Sequence, residues 1–378
     1  MMGGIMKSFS HLIEEVQNPG LCHHCGGCVT FCTAINYGAL ELCEDGRPCY
    51  KDEGKCIECG LCYSICPEID ELDEEVKQKA SWSPPMGAVM RLMAARASDP
   101  EVRARGTDGG LVTSLLIHLL DRGLIDGAIV SKKLGPFQRQ PWLARTREEI
   151  VEAAGFHFDT SHGMKHFSEI YSTFSPSVMA LSHLVKGHLN RVAFVGTPCQ
   201  INAVRRMEAL GIVPSDCIRY LFGLFCTGNF YFGDRQRQKL EGIGNFRWDD
   251  VRKINVKEEL MVHLHSGEVR YIPLDKLDFM KRYACQYCDD YSAEYADLSF
   301  GGLGAPEGWT MVIARTQRGC PVLDDAIGVN VEPYVYKDNP RWAFHAMAKL
   351  LEWSDKKKQH AALHHQELEK NAGGGEDS

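Results

Sequence analysis

No stretch of this chain approaches the roughly 20 consecutive apolar residues that a bilayer span needs. Its opening, MMGGIMKSFSHLIEEVQ, also lacks the long apolar core of a secretion signal. A cytoplasmic protein is the expectation. Fields of basic residues are missing as well: the formal net charge is -8, and basic side chains such as Lys132, Lys133, Arg205 and Arg206 come in pairs. Neutralising a phosphate backbone takes clustered Lys and Arg, so a general nucleic-acid binder is excluded. No GxGxxG follows the first strand of the main region, which removes support for the usual dinucleotide-binding fold. Apolar and charged residues make up 44% and 24% of the chain, which excludes a disordered or fibrous protein, and 378 residues allow two or three domains.

What the chain has in excess is cysteine, sixteen in all. Disulfides are disfavoured in a reducing cytosol, so metal or cluster ligation is the better reading. Ten of the sixteen fall between residues 22 and 66, which marks off an N-terminal module over residues 1–80. CHHCGGCVTFCT (Cys22, Cys25, Cys28, Cys32) and CIECGLCYSICP (Cys56, Cys59, Cys62, Cys66) both follow C-x2-C-x2-C-x3-C. In this ferredoxin pattern three cysteines of a run wrap one 4Fe-4S cubane and the fourth serves the other. The expected sets are therefore Cys22, Cys25, Cys28 and Cys66 for one cluster, and Cys56, Cys59, Cys62 and Cys32 for the second. Gly26, Gly27 and Gly60 let the loops curl around them. Pro67 follows Cys66, whereas Thr33 follows Cys32, a difference expected to loosen one turn without removing a ligand. Cys43 and Cys49 lie in ALELCEDGRPCY, two short strands around a turn, and are read as structural thiols. A zinc finger suits this spacing far less well.

Residues 68–87, EIDELDEEVKQKASWSPPMG, read as a short helix and then a linker. Beyond them, strand-like segments (AVMRLMAARA, IDGAIVSKK, RVAFVGTPC, IRYLFGLFCTG) alternate with helical ones (GGLVTSLLIHLLDRG, QINAVRRMEALG). The expected fold class is α/β, a small two-cluster module followed by a larger domain over 81–335 with a largely parallel sheet. In RGTDGGLVTSLL, Asp108, Gly109 and Gly110 precede a helix that carries Thr113 and Ser114. Free N–H groups at such a helix start suit a pyrophosphate; alternatively Asp108 simply caps the helix. A second glycine-rich stretch, residues 297–319, carries Gly301, Gly302, Gly304 and Gly308, followed by Trp309 and Arg315.

Four scattered cysteines can be grouped. Cys199 sits where a strand turns into a helix, Cys226 ends another strand, and Cys285 with Cys288 forms a C-x2-C. Strand ends in a parallel sheet converge on one edge, so these four can form a third cluster site. Two other readings are a nucleophilic Cys199, which needs a nearby base, and a thioredoxin-type pair, which belongs at a helix start. Cys217 and Cys320 are read as structural.

TDGGLVTSLL, VAFVGTPCQINAVRR, FGLFC and CQYCDDYSAEYADLSFGGLG with GWTMVIART resemble the family of beta subunits of the coenzyme F420-reducing hydrogenase, over about residues 86–335. The resemblance implies a non-covalent FAD near Gly109, Gly110, Thr113, Gly196, Thr197, Gly301 and Gly302. It also implies a four-iron cluster on Cys199, Cys226, Cys285 and Cys288. Reduced coenzyme F420 then gives a hydride to FAD, and single electrons leave through three 4Fe-4S clusters. The receiving partner is a redox subunit such as hydrogenase, formate dehydrogenase or heterodisulfide reductase. Two rival readings remain: one keeps the fold and the flavin but exchanges electrons with NAD(P)H or ferredoxin, and the other, of a different class, is a non-catalytic relay subunit that binds clusters and no flavin. The His- and aromatic-rich stretch 153–174 departs from the GSKY-like segment of many relatives, at the place where the hydride donor is expected to come in. Lys132, Lys165, Lys281 and Arg282 are candidates for the phosphate and glutamates of F420, or are simply solvated. In the C-terminal segment, 336–378, the spacing of Trp342, Met347, Leu350 and Leu351 predicts an amphipathic helix. His360, His364 and His365 on it are read as solvated, and the end GGGEDS as disordered.

Overall fold

The computed structural model describes residues 6–34, 37–43, 46–135, 138–155, 160–161, 177–181, 189–231, 233–336 and 340–373. The two cysteine loops of the N-terminal module share one backbone course. In each C-x2-C the residue before the second cysteine is left-handed (His24, φ 53°; Glu58, φ 51°), and so is the glycine after it (Gly26, φ 80°; Gly60, φ 74°). A non-glycine residue in that region is uncommon, and its occurrence twice at the same offset marks loops bent to the same purpose. Glycine content pointed to half of this geometry; His24 and Glu58 carried no signal. The helix Gly27–Ala34 runs on through Cys32. Thr33 permits that continuation, whereas the helix Leu61–Ser64 ends ahead of Cys66 and Pro67.

The expected hairpin is present as β1 (Leu40–Leu42) and β2 (Pro48–Tyr50), antiparallel, with Glu41 opposite Cys49. The expectation of two thiols there is corrected: Cys43 and Cys49 form a disulfide. Pairing of the hairpin carries the two cysteines to either side of the turn, with Cα atoms 5.8 Å apart, a separation that suits a bridge.

The main sheet follows the alternating segments. Its strands are β3 (Arg91–Ala97), β4 (Gly127–Gly135), β5 (Gln138–Ala144), β6 (Thr160–Ser161), β7 (Val192–Gly196) and β8 (Ile218–Leu224). A second, three-stranded sheet follows from β9 (Val251–Val256), β10 (Glu259–Leu264) and β11 (Val269–Pro273), and the main sheet is completed by β12 (Leu298–Gly301), β13 (Thr310–Ala314) and β14 (Val331–Pro333). Among the described residues the main sheet has the order β14-β3-β13-β12-β8-β7-β4-β5-β6. Its centre, β12-β8-β7-β4, is a run of parallel neighbours and β5 with β6 is parallel as well, while β4 with β5, β12 with β13, β13 with β3 and β3 with β14 are antiparallel. The expectation of a largely parallel sheet is thus corrected to a mixed one. Short connections after β4 and β12 return the chain directly, and a parallel neighbour needs a longer crossover.

Successive residues of the central strands face opposite sides. Ala193 and Phe222 join the core under the helix Leu111–Asp121, whose Leu111, Leu115 and Leu119 are buried. Phe194 and Leu221 join the core under the helix Pro198–Leu210, together with Phe31 and Ile65 of the N-terminal module. The module is held there by Arg206, fully buried, which bonds Asp73 and reaches the carbonyl of Ser64 at 3.4 Å. The small antiparallel sheet β11-β10-β9 packs with the helix Asp234–Gly244 on its own core, which includes Leu240, Phe246, Val262 and Ile272. Sequence reading passed over this lobe.

The stretch read as a linker begins with the expected helix, Asp73–Lys79, but then packs tightly. Trp82 Nε1 donates to Glu294 at 2.7 Å, Met86 is buried, and Arg315 donates to the carbonyls of Met86 and Ala88. The C-terminal helix spans Trp342–Gly373 and buries Trp342, Ala346 and Leu350, leaving Leu351 exposed. His364 and His365 are not simply solvated: both rings lie against Tyr287, and His365 Nε2 is 3.3 Å from the Tyr287 carbonyl. No helix of the described residues is long and apolar enough to cross a membrane.

Candidate functional site

The carboxyl ends of β12, β8, β7 and β4 open onto a cavity of about 330 Å³. That is where open α/β sheets place their ligands, and the volume is within the range of small-molecule sites. Gly110, with φ 69°, precedes the helix Leu111–Asp121, and no side chain caps it. Capping by Asp108 is thereby set aside. Its carboxylate instead accepts from Asn255 Nδ2 at 3.1 Å and faces Lys257 Nζ at 3.9 Å. Burial pushes the Asp108 carboxyl up, with Lys257 and Lys253 pulling it back. The helix start therefore offers free N–H groups and its positive end to the cavity.

Of the seven residues assigned to a cofactor, Gly110, Thr113, Gly196, Thr197, Gly301 and Gly302 line this cavity. Gly109 is not among its lining residues: it is packed behind, where a Cβ would come within 2.6 Å of the Gly308 carbonyl. A Cβ on Gly302 would stand 2.6 Å from Asp108 Oδ2, so glycine there keeps the wall thin. Thr197 is fixed by Gln200 Oε1, which accepts its N–H at 2.9 Å. Glycine surfaces beside an uncapped helix start fit a phosphate-bearing cofactor such as FAD. Ala153, Ala154 and Gly155, which begin the His-rich stretch, also line the cavity. Apart from residues 160–161, the rest of that stretch, with Lys165, lies outside the described residues.

Cys226 lines the same cavity and leads to the third thiol group. Cys199, Cys226, Cys285 and Cys288 are brought together from two strand ends and one loop, each within electrostatic reach of others in the set. Burial raises the thiols of Cys199 and Cys226 and pushes Cys288 up to about 12. Polar contacts reach the sulfurs: the Asn229 N–H points at Cys285 Sγ at 3.2 Å, and Thr197 Oγ1 lies 3.3 Å from Cys199 Sγ. Isolated thiolates are costly in such a place, and a cationic metal core compensates them. Cys217 and Cys320 stay apart from the group, beside Asp216 and Met90 respectively.

In the N-terminal module one small cavity is lined by Cys22, Cys25, Cys28 and Cys66, and a second by Cys32, Cys56, Cys59 and Cys62. These are the two expected sets, each drawing its fourth thiol from the other run. Burial pushes Cys22 and Cys62 up to about 12, while N–H groups of His24 and Ala39 point at the sulfurs of Cys22 and Cys32. Among the described residues no three His, Cys, Asp or Glu side chains are set to hold a single metal ion. Four thiols around a cavity are the donor set of a cluster. His23 and Glu68 close one side of the first cavity, with His23 Nε2 2.6 Å from Glu68 Oε1, a contact that sequence reading missed. Cys25 and Cys199 pack in one small cluster with Ala203, so the first cavity and the third group are neighbours.

The basic candidates are mostly committed elsewhere. Lys132 pairs with Glu152 at 2.9 Å and lies over the Trp142 ring, and Lys281 packs on Gly228. Arg282 is buried and reaches the Cys22 carbonyl at 3.5 Å, tying the Cys285 loop to the N-terminal module.

Comparison with known proteins follows this division. Residues 92–168 match the N-terminal model, and residues 189–332 the C-terminal model, of the family described as "Coenzyme F420 hydrogenase/dehydrogenase, beta subunit". The coenzyme F420 hydrogenase subunit beta of Methanococcus voltae is 31% identical over 65% of this chain and 84% of its own length. The chain belongs to this family of coenzyme F420 hydrogenase/dehydrogenase beta subunits. This member also carries a 4Fe-4S binding domain, matched at residues 19–38 and 53–74. A subunit of the F(420)H(2) dehydrogenase of Methanosarcina mazei is 27% identical over 94% of each chain. A solved structure of the F420-reducing [NiFe] hydrogenase complex from Methanosarcina barkeri contains a chain of the same fold. Its TM-score is 0.65 at 27% identity, over 76% of this chain and 94% of that one.

Proposed function

We propose that this member of the family is an iron-sulfur flavoprotein subunit that moves electrons between coenzyme F420 and a redox partner enzyme. The observation that carries the reading is Cys226, which lines the cavity while belonging to the third thiol group. Gly110, Thr113, Gly196, Thr197, Gly301 and Gly302 hold FAD in the cavity. Cys199, Cys226, Cys285 and Cys288 hold one 4Fe-4S cluster, and the two N-terminal sets hold two more. When bound, a flavin exchanges a hydride on one side and single electrons on the other, and cubane clusters carry those electrons singly.

The chain supplies placement. The uncapped helix start at Gly110 binds and orients the phosphates, and the cavity admits reduced F420 beside Ala153–Gly155. Electrons leave on the Cys226 side and pass from the third group, across the Cys199 and Cys25 contact, to the set of Cys22, Cys25, Cys28 and Cys66. They reach the Cys32, Cys56, Cys59 and Cys62 set next; Cys28 and Cys62 lie within electrostatic reach of each other. The flow is reversible, and no acid, base or nucleophile is required of the protein. The partner is a redox subunit of the hydrogenase, formate dehydrogenase or heterodisulfide reductase kind. Residues 1–80, 81–335 and 336–378 serve as relay module, flavin domain and C-terminal support.

The test is anaerobic mixing of the reconstituted protein with reduced F420 and, in parallel, with NADH. Bleaching of the flavin by reduced F420 is expected; bleaching by NADH alone overturns the choice of F420. Three clusters correspond to about 12 irons per chain, and Cys199→Ser brings this to about 8. A chain that releases no FAD on acid treatment is a relay without a flavin.

A further inference from the structure

We propose that Lys357, on the C-terminal helix, is a positioning residue for the third cluster: a fixed cation that joins its two ligand loops and raises its affinity for an electron. This rests on the reading that Cys199, Cys226, Cys285 and Cys288 hold a cluster.

Three lysines stand in a row in SDKKKQH, and the structure separates their tasks. Lys356 pairs with Glu352 on the surface, and Lys358 pairs with Glu294 at 2.8 Å. Lys357 between them is directed inward. Its Nζ donates to the Cys226 carbonyl and to the Asp290 carbonyl, each at 2.7 Å. The first carbonyl follows β8; the second lies two residues beyond Cys288. One ammonium thus spans both segments that supply Cys226, Cys285 and Cys288. Asp290 is buried, but its carboxylate accepts the Glu294 N–H at 2.9 and 3.1 Å. Both of the hydrogen bonds made by Lys357 go to backbone carbonyls.

An ammonium turned in from solvent against two carbonyls calls for a counter-charge. Four thiolates around an iron core are net anionic, and reduction adds one more negative charge. A neighbouring cation favours the reduced state, since net charge and hydrogen bonding set cluster potentials. The helix that delivers it, Trp342–Gly373, begins after the family match ends at residue 332. Ligand spacing alone therefore does not specify this residue.

The experiment compares K357M, K357Q and K357R in the full-length reconstituted protein, by iron content and by redox titration followed by electron paramagnetic resonance. C199S, measured alongside, identifies the signal of the third cluster. In K357M and K357Q we expect iron to be retained and that signal's midpoint to fall by at least 59 mV, a tenfold loss in the one-electron equilibrium. K357R is expected to restore it. Retained iron with an unmoved midpoint in K357M and K357Q overturns the role of Lys357. Iron loss in K357M that K357R fails to restore makes the lysine a strut and overturns it too. If C199S loses neither iron nor a signal, the third-cluster reading falls, and the proposal with it.

Discussion

Arg315→Met removes the side chain that anchors the scaffold behind the site. Arg315 is fully buried and forms no ion pair among the described residues. Nε donates to Ser299 Oγ at 2.6 Å, Nη1 to the carbonyls of Met86 and Ala88 at 2.9 and 3.0 Å, and Nη2 to the carbonyl and hydroxyl of Ser292 at 3.1 and 2.8 Å. Burial lowers its pKa to about 10, with Asp290 and Glu294 pulling it back up. Methionine fills much of the volume but leaves all five acceptors without their donor. Hydrogen bonds to a charged group are worth about 1.5–3 kcal/mol each, but the wild type already bears the cost of burying the guanidinium. Removing one side of such a buried charged network costs about 3–5 kcal/mol net, a fifth or more of the roughly 5–15 kcal/mol that holds a protein folded. The assay is anaerobic unfolding of the holoprotein, by urea for the free energy and by heat for the melting temperature, which is expected to fall by roughly 5–10 °C. Because Ser292 and Tyr291 follow the Cys285 loop, iron content should fall as well. Arg315→Lys keeps the charge and at most three bonds, and should land between the two. An Arg315→Met protein within about 1 kcal/mol of wild type would refute this account of how the scaffold is held.

Asp297, fully buried, accepts from Arg205 at 2.8 Å, Thr316 at 2.7 Å and the Leu221 N–H at 2.8 Å. Burial pushes its carboxyl up, but Arg205 and Arg318 outweigh burial and hold it below the ordinary 3.8. Since the folded value is the lower one, its contribution is complete above about pH 4 and is lost as pH falls through the folded value. Asp297→Asn should cost about 3–5 kcal/mol at neutral pH and flatten that acid limb, both readable from urea midpoints against pH. Cys43→Ser or Cys49→Ser should leave iron at about 12 per chain while costing roughly 2 kcal/mol for the small loop of sequence separation 6; iron loss would make these thiols ligands. Gly110→Val forces a branched residue to φ 69° and a Cβ to 2.6 Å from the Val102 carbonyl. Flavin released by acid should drop while iron is kept, and full flavin occupancy would count against the helix start as its binding site.

The gathering of the eight thiols in the two C-x2-C-x2-C-x3-C runs into two sets was legible because such spacing is local: it leaves the chain few ways to present its thiols, and the crossing of the fourth cysteine follows from two such runs. The alternation of strand and helix, and the glycines at 110, 196, 301 and 302, were legible for the same reason, since periodicity and turn chemistry act over a few residues. The mixed sheet was not, because side-chain period is the same in parallel and antiparallel strands and only the partner differs. The lobe of β9, β10 and β11 was passed over, its short strands half-exposed.

What the residues alone determined was therefore the chemistry available: eight thiols in two interleaved sets, four more at places where a fold can gather them, and glycine turns able to meet a phosphate. What only the tertiary structure decided was adjacency. It set Cys226 on the cavity wall, packed Cys199 on Cys25, bonded Cys43 to Cys49, and turned Lys357 inward between two lysines that face carboxylates. Each of these joins elements that meet through folding, and a contact of that kind depends on the whole sheet and its packed helices rather than on spacing along the chain.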